Sequence, residues 1–267
     1  SAYISTQYSM TKTDTHKINE VISMTISRSL WMQYVSKLRK IDERAAEEML
    51  NVIHTYGLEN STALVKIAYQ IASKYGEASG ALACLMYDKL AELSRAKVSA
   101  AQMADTATYS EVAKAVNGTL KTSNEKIVSS AVGNLVKRVS VDTMMQNALR
   151  DGAEWAWIPN GDTCAFCLTL ASQGWQKASK KALRNGHAEH IHANCDCSYC
   201  VRFDSNTTVD GYDPDALYEQ YKNADPSHSP KDKINAMRRE QYQEHKDEIN
   251  AQKRAAYAAR KEREREG

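Results

Sequence analysis

From Lys17 to Thr55 apolar residues return every three or four positions, through Ile18, Val21, Ile22, Ile26, Leu30, Val35, Leu38, Ile41, Ala45 and Leu50. That period places them on one face of a helix, which "HTYGLENS" then closes. Ser61 predicts the N-cap of a second long helix, carried by Leu64, Ile67, Ala68, Ile71, Leu82, Leu85, Leu90 and Leu93. Gly76, Gly80 and the small residues between them predict a kink or a close helix contact near its middle. A shorter helix fits Tyr109 to Leu120. A fourth starts near Asn124, with Ile127, Val128, Ala131, Val132, Leu135, Val136 and Val139 as a wide apolar stripe. These stripes read as the core of packed helices. Residues 1–14 show no period and are expected to form an extended arm.

The helical period is lost at "RDGAEWAWIPNGDTCAFC", where Trp155, Trp157 and later Trp175 gather and Pro and Gly appear. Large aromatics beside a small metal site supply the core that the site cannot build alone. Downstream, "NTTVDGYDPD" is a turn-rich linker into a short helix, "PDALYEQYKNA". Beyond Pro226 and Pro230, residues 231–267 hold eleven Lys and Arg against eight Asp and Glu, a net of +3 (11 − 8). Opposite charges three and four apart in that tail predict an exposed helix. The expected fold is therefore mainly α. Long N-terminal helices fill a domain at 1–150, a small zinc-stapled α+β module follows at 151–205, and a linker and charged C-terminal helical tail occupy 206–267.

Composition sharpens the picture without changing it. The 267 residues include only 2 Phe, 11 Gly and 4 Pro, and the net charge is +2. That charge makes no general case for nucleic acid or an anionic surface. No apolar run approaches the ~20 residues needed to span a bilayer, and the start lacks a basic-then-apolar export signal. The first residue is Ser rather than Met, which implies a processed or engineered amino terminus.

Five of the six cysteines lie within a short window, while Cys84 stands alone and reads as a small buried apolar residue. Cys164 and Cys167 are spaced so that two sulfurs can face one ion, and His192, Cys195 and Cys197 follow, with His187, His190 and Cys200 close by. Zinc takes about four N or S ligands, usually as two short pairs joined by the fold. The favoured set is Cys164, Cys167, Cys195 and Cys197, with His192 able to replace one of the last pair. Four protein ligands close the site, which makes the zinc structural. A CxxC redox pair would want an isolated couple in a βαβ setting, and here the pair has many companions and no strands are predicted around it. Disulfides would require an oxidising compartment. The order His187-Ala-Glu189 then Cys197-Ser-Tyr-Cys200 superficially fits a zinc deaminase. However, only seven residues separate Glu189 from Cys197, and Asp196 stands where Pro is needed. No phosphate loop, nucleophile elbow or acidic catalytic pair is evident, so the chain does not read as an enzyme.

The neighbours of these cysteines carry a resemblance. "IPNGDTCAFCLTLASQGW" and "HIHANCDC" resemble the core of minor capsid proteins of tailed bacteriophages, the group related to phage Mu head-morphogenesis proteins. Pro159, Gly161, Thr163, Cys164, Phe166, Cys167, Leu170, Ala171, Ser172, Gly174 and Trp175 match the first half of that pattern. His192, Cys195, Asp196 and Cys197 match the second. The stretch Trp155-Ala-Trp157 replaces a basic residue of the pattern, and Cys200 is extra. The resemblance covers about residues 150–202. It implies a structural protein inside the capsid near the portal, made in the host cytoplasm. The portal or major capsid protein and packaged DNA would be its partners, and no membrane is implied. A zinc-containing nucleic-acid adaptor is the competing expectation, and an enzyme whose site the sequence hides is the third.

Overall fold

A computed structural model describes residues 24–160, 165–179 and 198–223, with eight helical positions of the tail between 243 and 257. Ser27 adopts an extended conformation and its Oγ accepts from the N–H of Leu30 at 3.2 Å, which starts α1, Arg28–Tyr56. Gly57, at φ +74°, ends it by donating its N–H to Ile53 O. The predicted start at Lys17 is therefore corrected. Thr25 and Ile26 form a strand, β1, and residues 17–23, like the predicted arm, lie outside the described residues. The physical reason is tertiary: Ile26 is buried by pairing with a distant strand, and a helix cap follows at once.

α2 spans Ser61–Leu93, and its cap is Asn60 rather than Ser61, since Asn60 Oδ1 accepts from Ala63 N. α3, Tyr109–Leu120, has the extent expected and opens with a capping box between Thr108 and Glu111. α4, Glu125–Asp151, starts where expected, with Asn124 as its cap, and ends at Gly152, which takes the left-handed conformation that favours glycine. Helices α1, α2 and α4 pack on one another, and α3 lies against α2 and α4. One end of this bundle is filled by Met49, Ile53, Leu64, Ile71, Val112 and Val132 among others.

Gly76 and Gly80 mark a close contact. A Cβ on Gly80 would lie 2.4 Å from Met103 Cγ and 3.0 Å from Val139 Cγ1, so α4 and the 94–108 connector both press on α2 there. The connector is held by a polar stripe on α4. Thr143 Oγ1 and Asn147 Oδ1 accept from the N–H groups of Ala104 and Gln102, while Arg150 donates to the carbonyls of Ser99 and Ala100. Three residues placed in apolar stripes are exposed instead: Leu85, Leu93 and Ile127. Cys84, expected in the core, is only half-buried. Leu85, Leu93 and Cys84 share a cause, because α2 turns this side of its last turns to solvent, while Ile127 lies in the exposed first turn of α4.

After α4 the chain forms β2, Glu154–Ile158, then α5, Ala165–Ala171, β3, Gln176–Lys177, β4, Ser198–Arg202, β5, Thr208–Val209, and α6, Pro214–Asn223. The sheet order is β3-β2-β4, all antiparallel, with Trp155 opposite Val201 and Trp157 opposite Tyr199. β1 pairs in parallel with β5, Ile26 opposite Val209. Strands therefore do flank the first cysteine pair, contrary to the expectation, though β2 and β3 are antiparallel rather than the parallel pair of the βαβ unit a redox site would want. The sheet closes the other end of the bundle: Trp31, Leu38, Tyr87 and Met144 share one apolar cluster with Trp157, Tyr199 and Val201. Among the described residues the protein is mainly helical, with a small sheet. No helix among them is long and apolar enough to cross a membrane.

Candidate metal-binding site

Of the five expected ligands, Cys167 alone lies among the described residues. Cys164, His192, Cys195 and Cys197 lie outside them, as do His187 and His190. Among the described residues no three of His, Cys, Asp and Glu gather as a metal would need. What the structure does place is the frame around these positions. β2 ends at Ile158, which pairs with Ser198, the first residue of β4. The chain therefore leaves β2 toward the first cysteine pair, and enters β4 from the second, at the same end of one ladder. α5 begins one residue after Cys164, carries Cys167 in its first turn and packs on β2. Two flanks some forty residues apart in sequence are thus brought to one edge.

Cys167 is buried, 1% exposed, and joins the large apolar cluster from α5. Cys200 is fully buried on β4 opposite Ala156, and its thiol donates weakly to Val201 O at 3.9 Å. Burial pushes that thiol well above its usual range. Enclosed in one apolar cluster with Trp157, Tyr199 and Val201, this sulfur occupies a core position. That assigns a place to the extra cysteine, which spacing alone left open.

The residues around the cysteines in "LASQGW" have local structural jobs. Leu170 and Ala171 bury on α5, and Ser172 turns its hydroxyl back to Thr169 O. Gly174, at φ +65°, makes the turn into β3 against Pro214. Trp175 then lies under the Arg202 guanidinium, 4.6 Å from ring centroid to Cζ. Arg202 also bonds Glu154 at 2.6 Å and donates to the carbonyls of Ser205 and Thr207. One side chain therefore ties β2, β4, the loop to β5 and Trp175 together. Tyr212 Oη donates to Ala171 O, fastening the residues before α6 to the end of α5.

Above this frame sits an aromatic stack. Tyr199 is edge-on to both Trp155 and Trp157, each pair 4.7 Å between centroids. Such pairs contribute about 0.5–1.5 kcal/mol each beyond the area they bury. Burial raises the Tyr199 phenol far above its ordinary range, so it stays protonated. Arg202, Tyr199 and Tyr212 were not singled out in the sequence. Neither "EWAWI" nor "SYCVR" alternates apolar with polar residues, so no period marked Tyr199 or Arg202, and Tyr212 lies in the turn-rich stretch beyond them.

Among the described residues this is a helical bundle sealed by a small antiparallel sheet, with an apolar cluster shared between them. The chain belongs to the VG15 protein family, which matches residues 25–224, from β1 to just past α6. It is accordingly a phage protein, from a virion-associated family. No curated protein and no solved structure matches the chain.

Proposed function

We propose that this VG15-family protein is a minor capsid protein of a tailed phage, acting structurally inside the head near the portal. The observation that carries the reading is the family match over the whole bundle and sheet, together with the Gly-x-Thr-Cys-x-Phe-Cys and His-x-x-Cys-Asp-Cys motifs. The portal or the major capsid protein is its partner, with packaged DNA nearby, and its work is assembly rather than chemistry.

In the same reading one structural zinc joins Cys164 and Cys167 to Cys195 and Cys197, with His192 as the alternative fourth ligand. Thiolate and imidazole donors suit zinc, and the convergence of the two flanks at the Ile158–Ser198 end of the ladder supports it. The metal would supply cohesion where the apolar core ends, so that binding free energy becomes folding free energy. The test is metal content of the purified chain. One equivalent of zinc is expected, lost on Cys164→Ser or Cys195→Ser, and full retention in both variants would remove the ligand assignment.

A further inference from the structure

The solvent side of α1 is charged in two halves. Lys37, Arg39 and Lys40 come first with no acid among them, and Glu43 and Glu47 follow with Arg44 in their midst, while Arg28, Asp42 and Glu48 on the same helix are partly buried. Some of these charges are used within the chain. Arg28 donates to Pro159 O, Glu48 takes Lys74, and Arg39 meets Glu43 at 3.5 Å with both more than half exposed. Lys40, Arg44 and Glu47 are exposed and form no ion pair among the described residues.

At ~100° per residue, Ser36, Lys40, Glu43, Arg44, Glu47 and Asn51 all fall within roughly 60° of one line along the helix. We infer that this line is a self-complementary face, through which two copies of the chain pair with their α1 helices antiparallel. A two-fold axis between residues 43 and 44 sets Lys40 opposite Glu47 of the partner subunit, and Arg44 opposite Glu43 of the partner subunit. Symmetry repeats each contact, as an isologous interface requires. The same register faces Ser36 with Asn51 of the partner subunit, two groups able to hydrogen-bond. A parallel arrangement would set Lys40 against its own copy and is repulsive. A nucleic-acid backbone would satisfy the basic half and be repelled by Glu43 and Glu47. The antiparallel second copy is the occupant that meets both halves.

Exposed ion pairs are individually weak and screened by salt. The pairing is therefore salt-sensitive and favoured where copies are concentrated. The test uses the full chain in sedimentation velocity at about 0.05 M and about 0.5 M salt. Self-association is expected at low salt and is lost at high salt. Lys40→Glu and Glu47→Lys should each weaken it about tenfold or more, because each turns two attractions into repulsions. Mixing the two single variants should restore association as a heterodimer, since Glu at 40 then meets Lys at 47 and the wild-type pair remains on the other side. Both positions are exposed, and unchanged thermal melting will show that the variants fold. A chain that stays monomeric at low salt overturns the inference, as does a dimer indifferent to either reversal. Loss of duplex-DNA retention with no change in self-association also overturns it, and assigns the basic half to nucleic acid.

Discussion

The same substitution at two helical glycines should have opposite signs. Replacing Gly by Ala inside a helix gains about 0.8–1 kcal/mol where nothing else changes. Gly118 in α3 is such a place, exposed and with nothing within 4 Å of a built Cβ. Gly118→Ala is expected to stabilise by about 0.5–1 kcal/mol. At Gly80 the new methyl would lie 2.4 Å from Met103 Cγ, 2.7 Å from its sulfur and 3.0 Å from Val139 Cγ1. Met103 is half-exposed and can swing outward. Its backbone neighbours, though, are pinned to Asn147 and Thr143, and Val139 is buried on α4. Overpacking of this kind costs about 1–3 kcal/mol, which exceeds the propensity gain. Gly80→Ala should therefore lose up to about 2 kcal/mol net. Urea melts followed by far-UV circular dichroism measure both, and the melting temperatures should separate by several degrees, at ~2–4 °C per kcal/mol for a chain of this size. If Gly80→Ala stabilises as much as Gly118→Ala, the close crossing of α2, α4 and the connector is refuted.

Asp42 on α1 is largely buried, and burial raises its acid to about 8, with Lys137 pulling the other way. A carboxyl raised above its unfolded value binds its proton more tightly in the native state, so stability falls as pH climbs from about 4 to about 8. Asp42→Asn should flatten that fall, seen as denaturant midpoints at pH 5 and pH 8 that differ less than in wild type; an equal difference contradicts the burial argument. Arg202→Ala removes the bond to Glu154 and the contact with Trp175, and is expected to cost about 2–3 kcal/mol with a red-shifted tryptophan emission. An unchanged emission would argue against the Trp175 stack. Cys200→Ala should keep full zinc content while Cys164→Ser loses it, and loss of metal from Cys200→Ala would return Cys200 to the ligand set.

The helices were legible because each presents one apolar face over many turns. Val112 and Val116 in α3, or Val128, Val132 and Val136 in α4, are buried where the period puts them. Periodicity could not tell which side of a stripe faces the core, so Leu85 and Ile127 were misread as buried. It also misread Ile26, whose two-residue strand is fixed by Val209 far along the chain. The strands escaped for a different reason. Trp155, Ala156, Trp157 and Ile158 are all buried, and so are Tyr199, Cys200 and Val201. A strand covered on both sides loses the apolar–polar alternation that identifies it. In the candidate site the motif residues Leu170, Ala171, Ser172 and Gly174 were found from their pattern, and their roles follow from the turn between α5 and β3. Arg202 could not be found that way, because its worth lies in three partners brought together only by the sheet register.

Chemical cross-linking with mass spectrometry on purified phage heads tests the proposed station of this protein near the portal. This chain is expected in mature heads at few copies, with cross-links from its helices to the portal or the adjoining capsid interior. Absence from purified heads, with the chain recovered only in the infected-cell lysate, would contradict it.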